Sequence, residues 1–568
     1  MPLFSRSSSR NHRQPRRPNR GLSEEAVLLL ASLFVAITAN RGFLAGALKG
    51  RDSGDASAWG LGLALGLALV CIHYLLMALL AHRWTFKPVL ALALVVAALA
   101  SHYVTRYNVY LDPSMLRNVL RTDLQEAREL IGAHLLVPLL LQAALPIALL
   151  WWLPVLRRTW LRAISWRVGS LLLAVLVLVA TVLLSFQTLS SLMRNQKELR
   201  YLITPANLVW SLASVAGFAA RQVASGPKKP IGLDAQLGPA WASRKKPTLL
   251  VLVVGETARA ANWGLTGYAR QTTPELAKLP LLSFPYADAC GTNTEVSLPC
   301  MFAPVGRRDY DEARIRGSET LLHVLARAGV GVLWVDNQSG CKGVCDGLPN
   351  TSVVALAPPG LCAAGRCFDE GLLQPLPGLL GAAKPAQNNP KNAPRLLVLH
   401  MLGNHGPSYF RRIPPAFARF KPFCESDDLR LCSVEQIVNA YDNALLYTDH
   451  VLAQLIGQLQ AAAGTVDSAV VYVSDHGESL GENNLFLHGI PYAIAPDVQT
   501  KVPMLMWFSA GYGASLGFDT ACLARRAKQP AHHDHLFHTV LGLLDVQTAV
   551  REMSLDLINP CRLAQAKP

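Results

Sequence analysis

The stretch Ser468-Ala-Val-Val-Tyr-Val-Ser-Asp-His-Gly-Glu-Ser-Leu-Gly-Glu-Asn-Asn-Leu-Phe-Leu-His-Gly489 decides how the rest of the chain is read. Residues 469–473 are a short apolar, β-branched run, which predicts a buried strand. The run empties into Ser474-Asp475-His476-Gly477-Glu478. Polar groups at the exit of a buried strand are where open α/β sheets hold their ligands. Adjacent Asp475 and His476 join hard oxygen to borderline nitrogen, a donor set suited to Zn2+ or a similar divalent ion. His488 follows after a glycine-containing loop. Alone, these residues also fit an Asp-capped polar loop, and the remainder of the chain chooses between the two.

Three further apolar runs end in the same way. Residues 249–254 stop at Gly255-Glu256-Thr257, and 331–335 stop at Asp336. Residues 396–399 lead into His400 and then Gly403-Asn404-His405-Gly406. Helical patterns at 319–328 and 434–459 separate them. Strands alternating with helices predict an α/β/α sandwich with a mainly parallel sheet. The carboxylates and histidines at its strand exits would converge on one crevice. This catalytic domain is expected over 247–568.

The 568 residues are too many for one ordinary domain. Hydrophobic residues make up 51% and charged residues 16%, against about 25% charged in soluble domains, so part of the chain belongs in a bilayer. The net charge of +15 points to anionic partners. Anionic lipid fits a membrane protein better than nucleic acid, for which no motif is present. Residues 1–23 read as a disordered basic cytoplasmic tail, with no cleavable signal after it. Five apolar segments of about 20 residues lie near 25–45, 59–81, 86–104, 134–156 and 168–190, a five-span transmembrane domain over 24–190. The basic loops 82–87 and 157–162 face the cytoplasm by the positive-inside rule. An odd number of spans then places everything after 190 on the opposite side, which at the inner membrane of a Gram-negative bacterium is the periplasm. Residues 191–246 read as a connector with a membrane-surface helix and a linker. Between the third and fourth spans, 113–131 reads as an amphipathic helix lying on the membrane. Asn118, Thr122 and Glu126 share one of its faces, which a solvated stripe would explain equally.

Of the 11 cysteines, Cys71 falls inside a predicted span, where it reads as an inert apolar residue. The others all lie beyond residue 285, and in an oxidising compartment they predict five disulfides. Neighbours along the chain suggest Cys290–Cys300, Cys341–Cys345, Cys362–Cys367, Cys424–Cys432 and Cys522–Cys561, although sequence does not fix connectivity. A zinc site of Cys341, Cys345, Cys362 and Cys367 is the rival reading. Between Cys290 and Cys300, Thr294 reads as a helix N-cap, where free N–H groups favour an anion. A hydroxyl on a metal ion loses its proton readily and becomes a nucleophile, while a capping threonine is more commonly structural.

Four motifs occur in order: Gly255-Glu256-Thr257-Ala258-Arg259, the Gly-Tyr-x-Arg-x-Thr-Thr-Pro run at 267–274, Cys-Gly-Thr-x-Thr-x-x-Ser-x-Pro-Cys-Met-Phe at 290–302, and Asp475-His476-Gly477-Glu478-Ser479-Leu480-Gly481-Glu482. With the five spans, they resemble the membrane phosphoethanolamine transferases that modify lipid A, the group that includes the colistin-resistance enzymes. The resemblance covers about 24–550. It implies an alkaline-phosphatase/sulfatase-like fold with one tightly bound zinc, and room for a second. Glu256, Thr294, Asp475 and His476 would be the ligands and Thr294 the nucleophile. His405 and His488 would stand beside the substrate phosphate as proton donors or second-zinc ligands, with Glu478 supporting that second site. Ser339 and Lys342 match a phosphoethanolamine-contacting segment, and Asn118, Thr122 and Glu126 match polar positions that line the active site. Asn293 and Glu295 replace the smaller residues common beside the nucleophile, which bears on acceptor choice. His533 and Asp534 resemble a family His-Asp pair and read as structural.

The reaction this implies is transfer of phosphoethanolamine from phosphatidylethanolamine to lipid A or the lipopolysaccharide core. It would pass through a phosphoethanolaminyl-threonine, release diacylglycerol, lower the surface negative charge and confer polymyxin resistance. The enzyme is expected to act as a monomer among inner-membrane lipids. The alternatives are a same-fold transferase acting on another periplasmic glycan, such as a glycerol-phosphate transferase, and a membrane-anchored phosphatase or sulfatase. A non-catalytic scaffold is the reading from another class.

Overall fold

The computed structural model describes residues 21–563 except 50, 53, 123, 157, 243, 245, 364 and 382–392. The basic tail expected before residue 21 lies outside the described residues. The chain divides into two compact units, one of Met1–His102 with Leu135–Asn207, the other of Tyr103–His134 with Leu208–Pro568.

Among the described residues, four helices are long and apolar enough to cross a membrane: Ala56–Leu80, Phe86–Tyr107, Ala133–Trp152 and Trp160–Leu184. A fifth span exists if Glu24–Ala39 and Arg41–Leu48, bent by 60°, count as one. The bend has a cause. Asn40 is buried, its amide donates to the carbonyls of Val35 and Thr204, and its oxygen accepts the Thr204 N–H. A side chain inserted into the helix ladder breaks it there. The last span begins earlier than its apolar run: Trp160–Leu184 takes in Arg162 and Arg167, and Arg167 is paired with Glu24 at 2.8 Å. The region expected as a connector carries two helices, Phe186–Asn195 and Ala206–Ser225.

The second unit is built on a seven-stranded sheet. Its strands are β1 (Thr248–Gly255), β2 (Leu282–Ser283), β3 (Gly331–Asp336), β4 (Asn350–Ser352), β5 (Arg395–His400), β6 (Asp467–Ser474) and β7 (Met504–Phe508). The order is β2-β7-β6-β1-β5-β3-β4, and β6, β1, β5, β3 and β4 are parallel. The antiparallel β7 is not announced by β-branched residues, since its sequence is Met-Leu-Met-Trp-Phe. Both faces are covered, as the unbroken apolar strands require. Leu250, Leu252 and Val254 of β1 pack with Leu321, Leu325, Phe537 and Leu541 on one side. Leu249, Val251 and Val253 pack with Ile437, Leu445 and Leu452 of the long Val434–Ala461 helix on the other. Five disulfides join the pairs of neighbouring cysteines named above, and Cys71 is free and buried. Cys341, Cys345, Cys362 and Cys367 are therefore consumed in two bridges and make no zinc site.

The single amphipathic helix expected over 113–131 is two helices, Pro113–Arg121 and Leu124–Glu129. Thr122 ends the first with ψ 132°, and its hydroxyl bonds back to the Asn118 carbonyl at 2.8 Å. A β-branched hydroxyl residue offers the backbone that local alternative. Asn118, Thr122 and Glu126 therefore do not lie on one continuous helix face.

Leu252→Ala in the central strand should cost about 2–5 kcal/mol and visibly lower the thermal transition of the full chain in detergent. Leu63→Ala, at a side chain 76% exposed on a span, should leave that transition nearly unchanged. Equal effects would contradict the layering.

Candidate active site

Parallel pairing brings the strand exits together. Ser474 lies opposite Gly255, His400 opposite Val254, and Asp336 opposite His400. The residues just beyond, Glu256, Asp475 and His476, are each 0% exposed. One ligand atom from each lies within 4.8 Å of the others. Thr294 Oγ1 donates toward Glu256 at 3.1 Å and stands 3.3 Å from His476 Nε2. Nε2 of His476 is also 3.4 Å from Glu256 and 3.3 Å from Asp475 Oδ2.

Thr294 is not the N-cap. Asn293 takes that place, with extended backbone and its side-chain oxygen accepting the Val296 N–H at 3.0 Å. Thr294 is the first residue of the Thr294–Met301 helix. Its hydroxyl is released from capping and turned to the carboxylate. Ser297, one turn on, donates to the Asp475 carbonyl at 2.5 Å and ties this helix to the β6 exit.

The electrostatics are those of a cation site. Burial opposes charge on all three groups. Glu256 is nonetheless held well below the ordinary carboxylate range by the hydrogen bond and charge of His476. Asp475 is raised, by burial and then by Glu256 beside it. His476 is pushed up to about 9: burial lowers it, but the two carboxylates outweigh that. His476 Nδ1 is bonded to the Gly477 carbonyl at 2.9 Å, so Nε2 is the nitrogen aimed at the cluster. Asp475 Oδ2 has no hydrogen-bond partner among the described residues. Two dry carboxylates, an imidazole and a hydroxyl fit a divalent cation, which would replace the proton on His476.

The other expected residues fall into two groups. His488 stacks on His476 with ring centroids 4.4 Å apart and meets His405 at 5.3 Å. Glu478 bonds His488 Nδ1 at 3.2 Å. Glu126 pairs with His405 Nε2 at 3.0 Å. Burial works against both charges, yet their attraction holds Glu126 at about 2 and raises His405. Ser339 and Lys342 instead bond each other at 2.6 Å in a neighbouring pocket. Asn118 and Thr122 contact one another; of the three helix residues only Glu126 is tied to the histidines among the described residues. His533 accepts the Cys290 N–H through Nδ1 and bonds the Ser474 carbonyl through Nε2. Burial lowers it to about 3, so it is a neutral structural residue.

Sequence reasoning assigned no role to the residues behind these. His400 is bonded to Asp336 at 2.7 Å and points Nε2, 3.9 Å away, at Glu256. Outer partners of this kind orient ligands. Asp369 accepts the N–H groups of Leu402 and Gly403, fixing the loop to His405. Glu129 holds Arg412 at 2.7 Å, and Arg412 donates to the His405 carbonyl. The only signal for His400 and Asp336 was their place at strand ends; Asp369, Glu129 and Arg412 gave none. Backbone strain gathers here too: Thr257 (φ 53°) follows Glu256 and Leu487 (φ 62°) precedes His488. Such conformations persist where surroundings impose them, and Tyr441 does so by donating to the Thr257 carbonyl at 2.7 Å.

Known proteins match this arrangement along the chain. The Sulfatase family profile matches residues 248–546, and that of Phosphoethanolamine transferase EptA/EptB matches 69–218. Phosphoethanolamine transferase EptA of Escherichia coli K12 is 36% identical over 539 residues, which is 94% of this chain and 97% of that protein. Phosphatidylethanolamine transferase Mcr-1 of Escherichia coli is 35% identical over 541 residues, 93% of this chain and 96% of that one. The solved integral membrane lipooligosaccharide phosphoethanolamine transferase A (EptA) from Neisseria meningitidis superposes with a TM-score of 0.89 at 34% identity, covering 96% of this chain and all of that one. Similarity of this extent reaches through both units and the motifs at the strand exits: the chain belongs to the phosphoethanolamine transferase family and is an enzyme of that class.

Proposed function

We propose that this enzyme transfers phosphoethanolamine from phosphatidylethanolamine to lipid A or the attached core, with Thr294 as nucleophile. One observation carries the reading: the Thr294 hydroxyl is freed from helix capping and directed at a buried Glu256–Asp475–His476 pocket. The acceptor is supported by the lipooligosaccharide named for the Neisseria meningitidis relative, and by Kdo(2)-lipid A in the name of an Escherichia coli relative 27% identical over 585 residues. The apolar helices support a multi-pass inner-membrane protein with residues 247–568 as the periplasmic catalytic domain, joined through 191–246 to spans over 24–190. Both substrates are lipids, so membrane attachment suits the reaction.

The ion proposed for the pocket is zinc, held by Glu256, Thr294, Asp475 and His476, in keeping with mixed oxygen and nitrogen donors. When bound, it supplies Lewis-acid stabilisation of the charge that develops on the transferring group.

In the first step Thr294 Oγ1 forms a bond to the donor phosphorus as the bond from phosphorus to the glycerol oxygen breaks. The hydroxyl proton leaves along the hydrogen bond to Glu256. The glycerol oxygen takes a proton from His405 or His488 and departs as diacylglycerol. In the second step a phosphate or sugar hydroxyl of the acceptor attacks the phosphoethanolaminyl-threonine, and its proton returns to the histidine that protonated the glycerol oxygen. The phosphorus–Thr294 bond breaks, and Oγ1 regains a proton. Glu126 keeps His405 protonated and oriented, and Glu478 orients His488. Adding phosphoethanolamine to an anionic glycolipid lowers the negative charge on which cationic polymyxins depend.

Thr294→Ala should abolish the protein adduct and lower diacylglycerol release at least about a thousandfold, with folding intact by circular dichroism, while Thr294→Ser retains part of both. Full activity in Thr294→Ala would sink the assignment. Mass spectrometry of lipid A from cells with and without the protein should show added phosphoethanolamine; free phosphate or phosphoethanolamine instead would favour a hydrolase. Removing metal with a chelator should abolish turnover and lower the thermal transition, and Zn2+ should restore both. At a metal concentration 100 times Kd the stabilisation is about 2.7 kcal/mol.

A further inference from the structure

The Thr294–Met301 helix borders a second cavity. Pro299 lines it, and the volume is about 400 Å3. Four cations also line it: Arg121, Lys228, Arg316 and Lys342. The arrangement is built rather than scattered. Arg121 and Arg316 both bond one oxygen of Glu295, at 2.7 and 2.8 Å. Glu295 is 0% exposed and directly follows Thr294. Arg316 also bonds Glu312 at 3.1 Å, and Glu312 pairs with Arg117. Lys228 is held by Asp346 at 3.0 Å, and Lys342 by Ser339. Counting Arg117, five cations thus face three acids among the described residues, Glu295, Glu312 and Asp346, which leaves a surplus of two positive charges.

That surplus discriminates between the two substrates. Phosphatidylethanolamine offers one phosphodiester charge and an ammonium, so a cationic cavity repels half of its headgroup. A phosphate monoester carries about −1.5 to −2 at neutral pH and three acceptor oxygens, which guanidinium forks bind bidentately. Glu295 neutralises only one of the two guanidiniums it holds, and fixes both beside the nucleophile helix.

We propose that this cavity is the subsite for a phosphate monoester of the acceptor, with Arg121, Arg316 and Lys228 binding the anion and Glu295 as the positioning residue that holds the two guanidiniums. The assignment rests on the transferase reading above. Ser339 and Lys342, which share the cavity, would then stand between the acceptor phosphate and the transferring group.

The test uses the full chain in detergent with phosphatidylethanolamine as donor and two acceptors, lipid A and the same lipid A with its phosphates removed by phosphatase. In Arg121→Gln/Lys228→Gln, KM for lipid A should rise about tenfold or more, as loss of charged hydrogen bonds predicts. Its kcat, and adduct formation on Thr294 without acceptor, should stay within about twofold of the parent. Glu295→Gln should give the same split between KM and kcat. Dephosphorylated lipid A, which offers only sugar hydroxyls, should be a poor acceptor for the parent and no poorer for these variants. Inorganic phosphate should compete with lipid A in the parent and less in the double variant, whereas phosphatidylglycerol micelles, with a single phosphodiester charge, should compete poorly. An unchanged KM, a parallel loss of adduct formation, or competition by phosphatidylglycerol equal to that of phosphate would overturn the proposal. No adduct and no diacylglycerol release in the parent would instead refute the transferase reading, a separate result.

Discussion

Like charge held in a dry place shapes this enzyme. Glu256 and Asp475 are fully withdrawn from solvent within reach of one another, and two buried carboxylates cannot both keep their charge without a cation to answer it. In the protein alone, His476 serves that purpose in part, which is why it keeps its proton so far above the usual imidazole range. A divalent ion would serve it fully, and the Thr294 hydroxyl, 3.1 Å from Glu256, stands within reach of the same place. The fit to a metal proposed above thus lies in the desolvation of the pocket rather than in any one residue.

Such a pocket has to be held against its own repulsion, and the surrounding fold does so in successive layers. Strands β1, β5, β6 and β3 are neighbours and run in the same direction, so their exits share one edge. Behind Glu256 stands His400, itself fixed by Asp336. Behind His405 stand Glu126, Asp369 and the Glu129–Arg412 pair. The strained turn at Thr257 is imposed by Tyr441 from the long helix that covers the sheet. Each support comes from a different part of the chain, so the rigidity of the site is a property of the packed unit. The Leu124–Glu129 helix belongs to this unit although it lies between predicted spans in sequence, and two of its acids orient the His405 loop.

Charge on the two sides of the nucleophile helix is divided. The Thr294 end meets carboxylates and histidines, while Pro299 borders a cavity dominated by arginine and lysine, two of whose arginines bond Glu295. In the transfer proposed above, a zwitterionic donor meets an anionic acceptor, and a short helix with unlike surroundings would give each a separate place. Glu295 is the residue on which the basic side converges, through Arg121 and Arg316.

Much of this was legible in the chain itself. Apolar runs ending in Glu256, His400 and Asp475-His476 foretold a parallel sheet with polar groups gathered at its edge, because strand burial and exit chemistry are local properties. The apolar helices were legible for the same reason, although the kink at Asn40 was not, since it depends on Thr204, far away in sequence. Other features were settled only by tertiary structure. Whether Asn293 or Thr294 caps its helix depended on which oxygen reached the Val296 N–H. Whether 113–131 stayed one helix depended on the hydroxyl of Thr122 turning back to Asn118. The pairing of Glu126 with His405 and of Glu295 with Arg121 and Arg316 could not be read from composition or spacing. Local sequence specifies which groups are apolar, charged or nucleophilic, but only folding decides which distant charges must share one dry pocket, and that sharing sets their chemistry.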